Sequence, residues 1–427
     1  MKLMITTAAL ALLAVPASAG AQVYGQYGTN GPQAQGPIQP SNSQQQATAK
    51  TTDGKKIKLS GKAQKAIVDL QNAVNKADYA SLPQKLAAAK AVASTADDKY
   101  AIGQLQLKAA LAQKDDAAMA SAIDTIATSG FIDAATGSKL YASLGTTLYN
   151  AKQFAPAADA FQKAATLDPN NVEVYSLLGE AKFAQGQKAE AASDFQRALQ
   201  LQTASGQKPN ADLIKRAVSV AYEARSPLAI QLGREWIAAY PSPESWRNAI
   251  AIYRNMNHPD VEGTLDLLRL MQATGALTTA GDYALFAEAS SDQMNYNEAQ
   301  AVIDAGIAAK LVDPASARFK DIVSGLKNKQ KATAADLEAA VKMSPSTTNL
   351  LRIGDRYYGM GNYSKAGEIY RQVATKPGAD KELANLHLGM ALARAGDKAG
   401  AAAAFNAVTG GRSEIAKLWL LYLQQHG

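Results

Sequence analysis

The chain has 427 residues, 47% of them hydrophobic and only 7% aromatic, with a formal net charge of +7. This length allows two or three ordinary domains or one long repeat array, and the apolar content excludes a wholly disordered chain. With no cysteine, disulfides, thiolate metal sites, thiol nucleophiles and a lipidated cysteine are excluded.

In chain order, residues 1–21 read as a secretory signal peptide. Lys2 supplies the positive start, Ile5 to Val15 is an apolar run, and Pro16 breaks it. Ala17-Ser18-Ala19 is a small-x-small cleavage site, and Ala19-Gly20-Ala21 is a second candidate. The run falls short of the ~20 apolar residues that span a bilayer. Cleavage and delivery to a bacterial periplasm are therefore expected. Residues 22–54 are rich in Gln, Gly, Pro, Ser and Asn. Such a stretch buries too little apolar surface to offset chain entropy and reads as a disordered linker. Lys55, Lys56, Lys58, Lys62 and Lys65 then form a basic cluster. It offers a contact for an anionic envelope surface, lipid or cell-wall polymer, or else serves as a solvated first turn.

From about residue 62 the periodicity is helical, with Ala66, Ile67, Leu70, Ala73 and Val74 on one face. Pairs of helices follow, divided by Ser129-Gly130, Asp168-Pro169-Asn170-Asn171, Tyr240-Pro241-Ser242-Pro243 and Thr375-Lys376-Pro377-Gly378. No run alternates with period two, so no sheet is expected.

Self-similarity is the most informative signal. Tyr141 and Tyr175, Leu144 and Leu178, Gly145 and Gly179, Ala157 and Ala191, Phe161 and Phe195, and Ala164 and Ala198 are each separated by 34 positions. Later, Leu350-x2-Ile353-Gly354-x2-Tyr357 leads to Ala366-x3-Tyr370, and Leu388-Gly389-x2-Leu392 to Ala401-x3-Phe405. This pattern resembles the tetratricopeptide repeat (TPR) family. The resemblance implies an all-α fold, a right-handed superhelical solenoid of antiparallel helix pairs. Residues 55–137 would hold degenerate repeats, 138–205 two clear units, 206–346 degenerate pairs, and 347–427 two units with a C-terminal capping helix. Gly145, Gly179, Gly354 and Gly389 are expected at close helix crossings, facing Ala157, Ala191, Ala366 and Ala401. Ile415, Leu418, Leu420 and Leu421 would cover the last repeat.

No catalytic constellation is legible. His258, His387 and His426 lack a second His or carboxylate at metal-ligand spacing, and neither a phosphate-binding Gly loop nor a Gly-x-Ser-x-Gly elbow occurs. Asp97-Asp98 and Asp115-Asp116 read as helix-start caps. No cofactor, metal or nucleic acid is expected. In the tetratricopeptide family the first helix of each pair lines a peptide-binding groove. By that resemblance, Lys139, Thr146, Tyr149 and Asn150, then Glu173, Glu180 and Phe183, then Arg352, Asp355 and Tyr358, and finally His387 and Arg394 face a partner. The set that clamps a terminal carboxylate in some members is missing. The expectation is a non-catalytic, periplasmic protein- or peptide-binding scaffold. The alternatives are a peptidoglycan- or surface-associated envelope factor, or the helical part of a cell-wall enzyme.

Overall fold

The computed structural model describes residues 57–343 and 345–426. The expected signal peptide, the linker, Lys55 and Lys56 lie outside the described residues. Among the described residues there are 21 helices and no strand. They divide at Ala229/Ile230 into two compact units.

The first unit holds α1 (Gly61–Asn75), α2 (Leu82–Val92), α3 (Ala96–Gln113), α4 (Asp116–Ala127), α5 (Ala134–Asn150), α6 (Phe154–Leu167), α7 (Val172–Ala184), α8 (Lys188–Ala204) and α9 (Ala211–Glu223). The second begins within α10 (Leu228–Ala239) and holds α11 (Pro243–Asn257), α12 (Val261–Ala273), α13 (Ala280–Asp292), α14 (Tyr296–Ala308), α15 (Ala317–Lys327) and α16 (Ala334–Lys342). It continues through α17 (Thr347–Gly359), α18 (Tyr363–Ala374), α19 (Lys381–Ala395), α20 (Lys398–Asn406) and α21 (Ser413–Gln425). Each of the four expected breaks lies at a helix junction. The adjacent acids do cap: Asp115 accepts from the Ala118 N–H, and Asp98 completes a capping box with Thr95. Asp98 also accepts from the Ser60 N–H and hydroxyl, which ties the start of α1 to α3.

Helix partners are sequential: α3 with α4, α5 with α6, α7 with α8, α13 with α14, α17 with α18, and α19 with α20. Each of these pairs turns through one left-handed residue: Lys114, Lys152, Gly186, Met294, Gly361 and Gly396. That conformation ends a helix by satisfying its last carbonyls, and glycine adopts it without Cβ strain. The repeat therefore survives in backbone form even where its residues are no longer repeated.

The expected glycine crossings are present, with one correction. The groups nearest Gly145, Gly179, Gly354 and Gly389 are the rings of Phe161, Phe195, Tyr370 and Phe405. Those rings stand four residues beyond the alanines that were expected to face them. A Cβ on Gly145 would lie 2.6 Å from Phe161 Cε1, and one on Gly354 2.5 Å from Tyr370 Cε1. The glycine makes room for an aromatic ring, and the fully buried alanines let the second helix bring that ring in.

The terminal helix does more than cover the last repeat. Ile415, Leu418 and Trp419 are buried, and Trp419 stacks on Phe405. The same helix also reaches back to the start of its own unit. Arg234 pairs with Glu414, and Arg412 bonds Asp260 and Glu262. Gln425 accepts from Trp246 Nε1 and donates to the Ile237 carbonyl. In an open repeat array each unit touches only its neighbours. Here residues up to 188 positions apart are bonded within the second unit.

Candidate functional site

Two arrangements of polar side chains stand out, one in each unit: the first is built on α5, α7 and α9, the second on α12, α14, α17, α18 and α19. In the first unit, α5, α7 and α9 contribute Tyr149, then Glu180 and Phe183, then Arg216. Glu180 accepts from Arg216 Nε and Nη2, both at 2.8 Å, in a buried two-point ion pair. The guanidinium lies 4.2 Å from the centre of the Phe183 ring. Such a stack suits arginine, whose flat, weakly hydrated cation packs on aromatic faces. Burial and the Glu180 charge raise the Tyr149 hydroxyl pKa, while Arg216 opposes them, so Tyr149 stays a neutral hydrogen-bonding group. Tyr149 also meets the Phe154 ring edge-on at 5.3 Å.

Around this core the same face carries expected groove residues that reach solvent. Lys139, Asn150 and Glu173 are exposed, and Thr146, Tyr149 and Phe183 are half-buried. Tyr149 and Phe183 hold equivalent positions 34 residues apart, as do Thr146 and Glu180, and Lys139 and Glu173. The result is a repeated stripe: charged at the helix start, polar in the middle and aromatic at the end.

In the second unit the expected groove residues are placed differently. Arg352 is exposed and Arg394 half-buried, but Tyr358 and His387 are buried. Glu180, in the first unit, is buried as well. Asp355, Tyr358 and His387 gather around Arg269 of α12. Arg269 donates to both Glu298 oxygens at 2.8 and 2.9 Å. Its Nη1 lies 3.4 Å from Asp266 Oδ1 and 3.5 Å from Asp355 Oδ1, and Tyr358 covers its face at 4.8 Å. His387 sits between two carboxylates, with Nε2 3.0 Å from Asp266 and Nδ1 3.1 Å from Asp355. Tyr370 donates to Asp355 at 2.7 Å.

The electrostatics follow from this packing. Burial alone would lower the His387 pKa, but Asp266 and Asp355 outweigh it and raise it to about 10. Burial alone would raise the Asp355 carboxyl; His387, Arg269 and the Tyr370 hydroxyl bring it down to about 2. Asp355 and His387 are thus both charged at neutral pH. Reading the sequence missed Arg216, Asp266, Arg269, Asn295 and Glu298. A signal was present for two of them: Asp266 and Arg269 interrupt the apolar run Leu265 to Met271 at a spacing that puts both on one helix face.

Lys58, Lys62 and Lys65 are exposed at the start of α1. Among the described residues no helix is long and apolar enough to cross a membrane, and no group of three His, Cys, Asp or Glu is placed to hold a metal ion.

Residues 143–209 and 351–414 match the family model described as tetratricopeptide repeat. One matched stretch lies in each unit. Similar solved structures include a tetratricopeptide repeat protein from Parabacteroides merdae, at 16% identity over 67% of this chain and 98% of that one, with a TM-score of 0.27. The pilF protein of Pseudomonas aeruginosa matches at 14% identity, over 62% and 97%, with a TM-score of 0.23. The TPR domain of P58(IPK) matches at 14%, over 85% and 97%, with a TM-score of 0.20. No curated protein sequence matches. The chain thus carries tetratricopeptide repeats at residues 143–209 and 351–414, within an all-α array of paired helices, and such repeats imply protein partners.

Proposed function

We propose, from the tetratricopeptide repeats it carries, that this chain is a non-catalytic scaffold of the bacterial periplasm that binds a protein or an extended peptide. The binding surface is the first-helix face of a TPR superhelix, at α5 and α7 of the first unit. The observation that carries this reading is the stripe of exposed Lys139, Asn150 and Glu173 and half-buried Thr146, Tyr149 and Phe183, which lies almost wholly within a matched repeat stretch. Two aromatic rings held by fixed neighbours supply rigid apolar area, and the polar side chains around them supply direction. Export is supported by Lys2, the Ile5 to Val15 run and the Ala17-Ser18-Ala19 site.

A crosslinked pull-down from the native envelope, followed by affinity measurement on the captured partner, tests this. Tyr149→Ala and Phe183→Ala are each expected to weaken binding by about tenfold, the effect of losing roughly 1.4 kcal/mol at a central aromatic contact. Affinity unchanged by both, and by Lys139→Ala and Glu173→Ala, removes this face from the function.

A second reading rests on the exposure of Lys58, Lys62 and Lys65, which with Lys55 and Lys56 would hold an anionic envelope surface. Sedimentation with purified peptidoglycan or anionic vesicles separates the two readings. Binding through these lysines falls steeply with added salt, whereas binding at the aromatic stripe changes little.

A further inference from the structure

The ion cluster of the second unit encloses a small cavity between α12, the α13–α14 turn, α17 and α19. Three observations on it point the same way. The first is charge. Asp266, Glu298 and Asp355 face Arg269 and His387, three carboxylates against two cations. At the rim, Asp260 and Glu262 share the single guanidinium of Arg412. A buried excess of negative charge is costly unless a cation answers it.

The second observation is two orphaned acceptors. Asp266 Oδ2 and Asn295 Oδ1 are buried and have no hydrogen-bond partner, and both residues line the cavity. Asp266 is wholly buried and Asn295 nearly so. Asn295 is the N-cap of α14, where an Asn side-chain oxygen ordinarily accepts from the first turn. Here it makes no such bond. Its amide nitrogen is anchored instead on Glu298 and the Asp355 carbonyl, which leaves the oxygen without a partner. The third observation is size. The cavity's ≈ 10 Å³ admits about one water-sized group. Glu262 and Gln293 stand at its half-exposed rim, and Leu265 forms an apolar wall.

Water would satisfy the acceptors and leave the charge unanswered. Calcium requires six or more oxygen ligands and magnesium near-ideal octahedral geometry, which this donor set does not supply, and among the described residues no group of three His, Cys, Asp or Glu is placed to hold a metal ion. A primary ammonium is the size of a water, carries one positive charge and brings three donors on a slender apolar stem. We propose that this cavity is a receptor for a primary ammonium group, carried by a peptide's lysine side chain or by a free alkylamine. It is independent of the aromatic stripe of the first unit, so either assignment can fail without the other.

The test uses the purified full chain, with calorimetry and thermal melting in methylammonium, N-acetyl-lysine methylamide, its uncharged norleucine analogue, and potassium chloride at matched ionic strength. Saturable binding and a raised Tm are expected with the first two and not with the last two. The lysine compound binding on the order of tenfold tighter than methylammonium identifies a peptide source; the reverse order identifies a free amine. Asp266→Asn should abolish binding. Should that variant fail to fold, Gln293→Lys decides, because it tethers an ammonium at the rim. It is expected to raise Tm and to make added methylammonium ineffective. No saturable response to either amine, or an equal response to potassium, overturns the assignment. So does a Gln293→Lys protein that melts lower and still binds methylammonium.

Discussion

At the scale of single residues, the glycine-to-ring contacts give graded expectations. Gly145→Leu drives a branched side chain into the Phe161 ring and should cost about 1–3 kcal/mol, read as a lower melting temperature. Alanine gives the finer comparison. Its Cβ would lie 2.6 Å from the ring at Gly145 but 3.1 Å at Gly179. Gly145→Ala should therefore destabilise more than Gly179→Ala; equal effects would show that Phe161 moves aside freely. The charged cluster gives a pH expectation. The folded pKa of His387 is about 10, above its ordinary value of 6.5. Its stabilisation is thus complete below about 6.5 and is lost as pH rises through about 10. The stability difference between the parent protein and His387→Gln, measured by urea unfolding, should shrink along that alkaline limb. A constant difference would deny the imidazolium its role. For Asp355 the sign reverses: its contribution is present above 3.8 and is lost as pH falls through about 2. The glycines and rings were legible in the sequence because they repeat every 34 residues. The cluster was not, because Asp266, Glu298, Asp355 and His387 stand on four helices whose meeting no local spacing encodes.

Among the elements, the turn between paired helices is the most regular feature. Lys152 takes φ +61° at the position where the next repeat has Gly186, with φ +81°. A side chain in this conformation costs ~1–2 kcal/mol that glycine avoids. Lys152→Gly should therefore raise stability by about 1 kcal/mol, visible as a higher urea midpoint at unchanged slope. A lower midpoint would mean that the Lys152 side chain makes contacts worth more than the strain. The terminal helix α21 was legible as an amphipathic segment, and its burial of Ile415 and Leu418 follows from that pattern. Its bonds to α10, α11 and α12 were not legible, since Arg412, Glu414 and Gln425 look like ordinary solvated residues in sequence. Trp419→Ala should cost about 3–5 kcal/mol, because it empties a fully buried site against Phe405.

For the whole molecule, the division into two compact units predicts separable stability. Repeat arrays are stabilised by neighbour contacts, and local opening follows contiguous packed regions. In hydrogen exchange, Gly145→Leu should lower protection in α5 to α8 and leave α17 to α20 unchanged, with His387→Gln doing the opposite. Equal loss in both units under either substitution would show a single cooperative structure. By itself the sequence determined the helical class, the helix breaks and the two blocks of repeats. Each of these depends on periodicity, capping and turn chemistry within a few tens of residues. Only the tertiary structure decided which first-helix residues remain open to a partner and which are consumed by Arg216 and Arg269. It alone set the return of α21 onto the start of its unit and the acid-lined cavity. Those outcomes depend on side chains brought together from separate helices, 36 positions apart for Glu180 and Arg216 and up to 188 for α21, where packing geometry, not local pattern, sets who meets whom.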